Sequence, residues 1–142
     1  MRSLFDVNVL IALLQPDHAH HVVAHEWWAA NRSAGWASCP LTQNGFIRII
    51  SQPKYPSPVP IARALDLLAE EIQGTDHTFW VDDLSLLDTK RFARDRILGP
   101  KQLTDVYLLA LAVQNGGRLV SFDRAIPIAA VRGAARQHLV VI

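Results

Sequence analysis

Polar residues interrupt the first apolar run at a telling place. Leu4, Phe5 and Val7 read as a short buried strand, while Asp6 and Asn8 put polar groups among them that an interior tolerates only when they are paired. The apolar run Val9 to Leu14 follows at once, which predicts a strand feeding a helix with the acid at the junction. Gln15-Pro16-Asp17 breaks the pattern, and Asp17 is positioned to cap a second helix from about His18 to Asn31, with Val22, Val23, Trp27 and Ala30 facing inward. Trp36-Ala37-Ser38 reads as a strand, and Pro40-Leu41-Thr42 starts a third helix carrying Phe46, Ile47, Ile49 and Ile50.

Between Gln52 and Pro60 four prolines mark a loop, and Ser57-Pro58 reads as the next helix start. Ile61, Leu65, Leu68 and Ile72, spaced four, three and four, predict one helical face that ends at Gly74-Thr75. His77 to Val81 is a strand candidate, and the stretch from Asp82 to Pro100 allows short helices at 84–88 and 90–98. Thr104 is expected to cap the clearest helix, with Asp105 in its first turn and Val106, Leu109, Ala110 and Val113 as its packing stripe. Asn115-Gly116-Gly117 stops that helix, Arg118 to Phe122 forms a strand ended by Asp123, Pro127 to Val131 is a turn, and Leu139 to Ile142 is a last strand. Short apolar strands alternating with helices predict an α/β fold with a parallel sheet, covered on both faces by crossover helices. Neither an internal repeat nor a domain boundary breaks the 142 residues, so one domain is expected over 1–142.

Half the residues are hydrophobic and 19% are charged, which excludes a disordered chain. The single cysteine, Cys39, excludes an intrachain disulfide and a multi-cysteine metal knot; it reads as a small buried side chain. No signal-peptide layout and no bilayer-length apolar run are found, so a cytoplasmic protein is expected. Fourteen Lys and Arg against thirteen Asp and Glu give a net +1, so any nucleic-acid binding must come from local charge. Lys90, Arg91, Arg94, Arg96 and Lys101 supply such a concentration within twelve residues.

Three acids stand at strand ends or helix starts: Asp6, Asp105 and Asp123. In a parallel sheet, strand C-termini and helix N-termini share one edge, so acids distant in sequence can converge there. Clustered carboxylates repel one another unless a cation sits among them, and oxygen donors suit Mg²⁺ or Mn²⁺. His18, His21 and His25 share a helical face, but without a His-Glu-x-x-His motif they read as a polar face or a contact for a partner. The four tryptophans read as core or interface aromatics.

Phe5-Asp6-Val7-Asn8, Thr104-Asp105 with the run from Tyr107 to Ala112, and Val120-Ser121-Phe122-Asp123 resemble the PIN-domain nucleases, most closely their VapC-type toxin branch. The resemblance implies a PIN-like three-layer sandwich with a mostly parallel sheet of four or five short strands flanked by helices. It implies Asp6 and Asp105 as the principal Mg²⁺ ligands, with Asp123 as the remaining acid acting through water or a second metal position, and Asn8 and Ser121 as supporting polar groups. It further implies a metal-dependent endoribonuclease toxin acting on structured RNA such as tRNA or rRNA, a small antitoxin, and a homodimer. Family members commonly carry a Glu three residues after a Thr in the helix following the second strand; here Thr42-Gln43-Asn44-Gly45 puts Gly45 there. Asn44 is then a neutral substitute donor, and Asp82 or Asp83 could reach the edge from another element. Arg48, Arg94 and Arg124 are the expected RNA contacts. Two alternatives remain open: an inactive PIN-like RNA-binding protein, which Gly45 favours, and a metal-dependent nuclease of single-stranded DNA.

Overall fold

The computed structural model describes residues 1–142. Five strands, β1 (Ser3–Phe5), β2 (Trp36–Ser38), β3 (His77–Phe79), β4 (Arg118–Ser121) and β5 (Leu139–Val141), form one sheet in the order β3-β2-β1-β4-β5. All four pairings are parallel. The helices are α1 (Val7–Leu14), α2 (His21–Asn31), α3 (Pro40–Ile50), α4 (Ile61–Gly74) and α5 (Leu103–Gln114). No helix is long and apolar enough to cross a membrane.

Alternation along the central strands sorts the core into two layers. Leu4, Ala37 and Leu119 face α5 and the segment from Ile126 to Val131, while Phe5, Trp36 and Val120 face α1, α3 and α4. Successive strand side chains point to opposite faces, so a strand buried on both sides is mostly apolar, and the buried serines Ser3 and Ser38 are each hydrogen-bonded. Phe5 is the keystone of the second layer: its ring stacks on Trp36 at 5.6 Å and meets the edges of Trp27 and Trp28. The α/β sandwich and its parallel sheet are as the sequence pattern predicts.

Several local expectations fail for identifiable reasons. Val7 opens α1 instead of extending β1, because Asp6 already holds the helix N-cap, where its carbonyl accepts from Leu10 N–H at 2.9 Å. The second helix begins at His21; residues 18–20 form a turn held by His18, whose Nδ1 accepts from His20 N–H, and Asp17 makes no cap. On that helix Val22 and Val23 are 63% and 47% exposed and Ala30 is exposed, while Ala24 takes the buried position. Helix α4 starts at Ile61 after Pro60, not at Ser57-Pro58, and buries Ala64 and Leu68 while leaving Ile61 and Leu65 exposed. No α-helix forms from Asp82 to Leu98; the stretch holds turns, a 3-10 turn at Arg94–Arg96, and an antiparallel bridge between Phe92 and Val131. Thr104 lies inside α5, not at its cap, and α5 has no single stripe: every residue from Val106 to Ala112 is buried. A helix buried all round packs against neighbours on every side, and its sequence cannot show a polar face.

Candidate active site

The shared edge assembles from three pieces. Asp6 leaves the end of β1, Ser121 ends the adjacent β4, and Phe5 pairs with Val120 in register, so the Asp6 and Ser121 side chains meet across the two strands. Ser121 Oγ donates to Asp6 Oδ2 at 2.7 Å, and the same oxygen accepts from Asp123 N–H at 3.0 Å. One buried hydroxyl therefore fixes the Asp6 carboxylate and the backbone that carries Asp123. Asp123 Oδ1 accepts from Ala125 N–H at 2.7 Å, closing a tight Asx turn. Asp105 comes in from the first turn of α5.

Electrostatics tie the three acids together. Burial pushes the Asp6 carboxyl above its ordinary range against the bonds from Ser121 and Val7 N–H, and the Asp123 charge pushes the same way. Asp105 is pushed up to about 6, first by burial and then by the charges of Asp6 and Asp123. No basic side chain relieves this. The four ion pairs of the chain, Arg2–Asp76, Arg63–Glu70, Arg91–Asp88 and Arg96–Asp95, all lie elsewhere, and Arg124 does not pair with its neighbour Asp123.

An uncompensated set of carboxylates, buried at Asp6, half-buried at Asp105 and exposed at Asp123, fits a hard cation in the donor type and in the charge it lacks. It does not form a closed cage, because no three His, Cys, Asp or Glu side chains stand close enough to hold a metal by themselves. Mg²⁺ commonly keeps several waters and takes one or two carboxylates, so Asp6 and Asp105 are the residues that would hold a hydrated ion. Asp123 would support the ion from the same rim.

The supporting residues separate. Asn8, in the first turn of α1 beside Asp6, is exposed and makes no side-chain hydrogen bond; Asn44, on α3, is likewise exposed and unbonded. Asp83 does not stand with the acids: its Oδ1 accepts from Gln114 Nε2 at 2.7 Å, in the last turn of α5, opposite the end that carries Asp105. Asp82 caps α3, its Oδ2 accepting from Leu41 N–H at 3.1 Å, and is not among the charges felt by Asp6 or Asp105. Arg48 falls in the last turn of α3, the end away from the β2 edge.

Gly45 has a physical reason of its own. A Cβ there would lie 2.7 Å from Val7 Cγ2, so α3 crosses α1 at closest approach where a larger residue would push against the helix that follows Asp6. A polar group that sequence reasoning did not single out closes the end of β2. Buried Ser38 accepts from Gln43 Nε2 at 2.9 Å and is bonded to His77 Nε2 at 2.7 Å. A serine ending an otherwise apolar strand, repeated at Ser121, was the available signal. Cys39 is buried with its thiol pushed up to about 11 by burial, hence protonated and not a nucleophile at neutral pH.

Basic residues from two distant segments come together, among them Arg124, which follows Asp123 directly. Ala93 N–H donates to the Ala130 carbonyl, Arg132 N–H to the Arg91 carbonyl, and Gln102 Nε2 to the Ala125 carbonyl. These bonds join the stretch bearing Lys90, Arg91, Arg94, Arg96 and Lys101 to the one bearing Arg124 and Arg132, all exposed. A cavity of about 390 Å³ between α1, α2 and α4, lined by Phe5, Leu14, His21, Trp28 and Trp36, contains none of the acids and is separate from this chemistry.

Three acids on the C-terminal rim of a five-stranded parallel sheet, with a basic flank, place the chain in a class. The sequence pattern of the PIN domain matches residues 3–132, and the chain belongs to the PIN-domain family. Within it, the chain is 53% identical over 142 residues to Ribonuclease VapC44 of Mycobacterium tuberculosis, covering the whole of both proteins. It is 42% identical over 135 residues to Ribonuclease VapC39 of the same species, covering 94% of this chain and 96% of that one. In fold it resembles PAE2754 of Pyrobaculum aerophilum (TM-score 0.57, 21% identity, 99% of this chain and 84% of that one). It also resembles the crystal structure of VapBC2 from Rickettsia felis bound to a promoter DNA fragment (TM-score 0.56, 13% identity, 88% and 90% covered).

Proposed function

We propose that the chain is the ribonuclease toxin of a toxin–antitoxin pair, cutting phosphodiester bonds of structured RNA such as tRNA or rRNA with Mg²⁺ or Mn²⁺. Its place beside the VapC ribonucleases makes it an enzyme, a hydrolase of the nuclease class. A small antitoxin protein, a homodimer and a cytoplasmic site of action belong to the same proposal. The observation that carries it is the acid set in which Asp6 and Asp123 are joined through Ser121 and Asp105 feels both their charges, with no cationic partner.

A bound divalent cation supplies charge neutralisation at a phosphate oxygen and makes a water more acidic. The chain's own residues do the rest. Asp6 and Asp105 offer carboxylate oxygens from two elements at one rim, and Ser121 holds Asp6 in a single orientation. Asp123 orients water on the open side, where it is exposed. Arg94 and Arg124 engage the flanking phosphates, with Arg48 as a further candidate contact from the end of α3. Gly45 packs closely on Val7 and leaves the acid expected there without a replacement, so the catalytic reading rests on Asp6, Asp105 and Asp123 alone.

The test is to express the chain and its Asp6→Asn variant and map RNA 5′ ends in cells. Discrete cuts present with the wild type and lost in the variant, with purified activity falling by about three orders of magnitude, are expected. The same cuts from both proteins would overturn the proposal.

A further inference from the structure

We infer that His20 and Phe122 form a stacking step for one RNA base beside the cut; this rests on the ribonuclease reading above. Phe122 lies between Ser121 and Asp123, so its ring is one residue from the acid rim, and it is only partly covered by the layer under the sheet. The His20 ring lies 5.0 Å from it, tilted by 38°, and the His18 ring follows at 5.7 Å from that of His20. Three aromatic rings from the α1–α2 turn and the β4 end thus line up at the rim.

The step is held in place before any ligand arrives. His18 N–H donates to the Gln15 carbonyl and His21 N–H to the His18 carbonyl, while His18 Nδ1 accepts from His20 N–H. The His21 ring is bonded at 2.7 Å to the Ala12 carbonyl of α1. The His20 ring itself makes no hydrogen bond or ion pair and is exposed, so this fixed turn presents an aromatic surface with no structural task beyond its packing on Phe122 and His18. Single-stranded and unstacked RNA bases are taken up on such surfaces, phosphates on basic ones. The acid rim lies next to both kinds.

The experiment uses the full chain with an RNA whose cut has been mapped, prepared with a single abasic nucleotide at each position flanking the cut. With the wild type, one abasic position should raise KM about tenfold and leave the single-turnover rate at saturation unchanged, the scale of one base–aromatic stack. His20→Ala should raise KM by a similar factor on intact RNA and show no further loss at that abasic position. His20→Phe should behave as the wild type, which a role for the imidazole nitrogens would not allow. Equal thermal midpoints of the three proteins check that folding is not the cause. Abasic penalties that are the same in His20→Ala as in the wild type, or a His20→Phe variant as weak as His20→Ala, would overturn the stacking step while leaving the ribonuclease standing. Absence of any cut by the wild type would overturn the ribonuclease itself and the step with it.

Discussion

The acid rim and the basic flank are neighbours of opposite charge that do not neutralise each other. Asp6 and Asp105 sit partly or wholly out of solvent with their carboxyls pushed up, while Arg94 and Arg124 stand in water without acidic partners. Elsewhere on the surface the chain pairs its charges, as in Arg2–Asp76 and Arg63–Glu70, and within the flank itself Arg91 and Arg96 pair with Asp88 and Asp95. Asp123 Oδ1 closes an Asx turn with Ala125 N–H, and Arg124 beside it is in no ion pair. An unneutralised acid set draws a cation, and the unpaired Arg94 and Arg124 draw phosphate. A ribonuclease needs both at once.

Ser121 is the sharpest place to break the acid side. Ser121→Ala removes the hydroxyl that orients Asp6 and receives Asp123 N–H, and cleavage should fall by about 10- to 100-fold, with the divalent-ion titration shifted to higher concentration. An unchanged titration would mean that the carboxylate needs no such support.

The basic side responds differently. The double variant Arg94→Gln with Arg124→Gln should leave the divalent-ion titration alone and lower RNA affinity, reducing the slope of log affinity against log salt by about one for each phosphate that is no longer neutralised. If the slope of the double variant equals that of the wild type, these arginines do not touch the backbone.

Asp105 gives the comparison a pH axis in protein stripped of divalent ions. Its folded carboxyl titrates at about 6 against an ordinary 3.8, so the folded state holds a proton that the unfolded chain has released. Stability is therefore lost as pH rises from about 4 through about 6. The thermal midpoint of the wild type should fall over that window more than that of Asp105→Asn, and added Mg²⁺ at pH 7 should recover it in the wild type only. A rising wild-type midpoint relative to the variant would reverse the sign and refute the burial of that charge. The smallest effect belongs to Asp83→Asn: its partner Gln114 is at the far end of α5, so cleavage should not change.

Much of this site was legible in the sequence, and the reason is topological. A polar residue ending a short apolar strand, or opening a helix, lies on one rim whenever the sheet is parallel, so Asp6, Asp105 and Asp123 could be assembled without coordinates. Asp83 and Arg48 were not placeable by that rule. Asp83 sits in an irregular stretch whose direction depends on what it packs against, and Arg48 differs from rim residues only by two turns of helix.

The linear pattern determined the alternation of strands and helices, the loop of prolines and the three acids at element ends, because each of these depends on a residue and its near neighbours. The tertiary structure alone decided which apolar residues were buried. Val22, Ile61 and Leu65 are exposed although their spacing is that of a core face, and α5 is covered all round although its spacing suggested a stripe. Only packing could reveal that Gly45 is a close approach to Val7, or that the Ser121 hydroxyl joins Asp6 to Asp123. Periodicity tells which side chains share a face; what covers that face depends on elements distant in the chain.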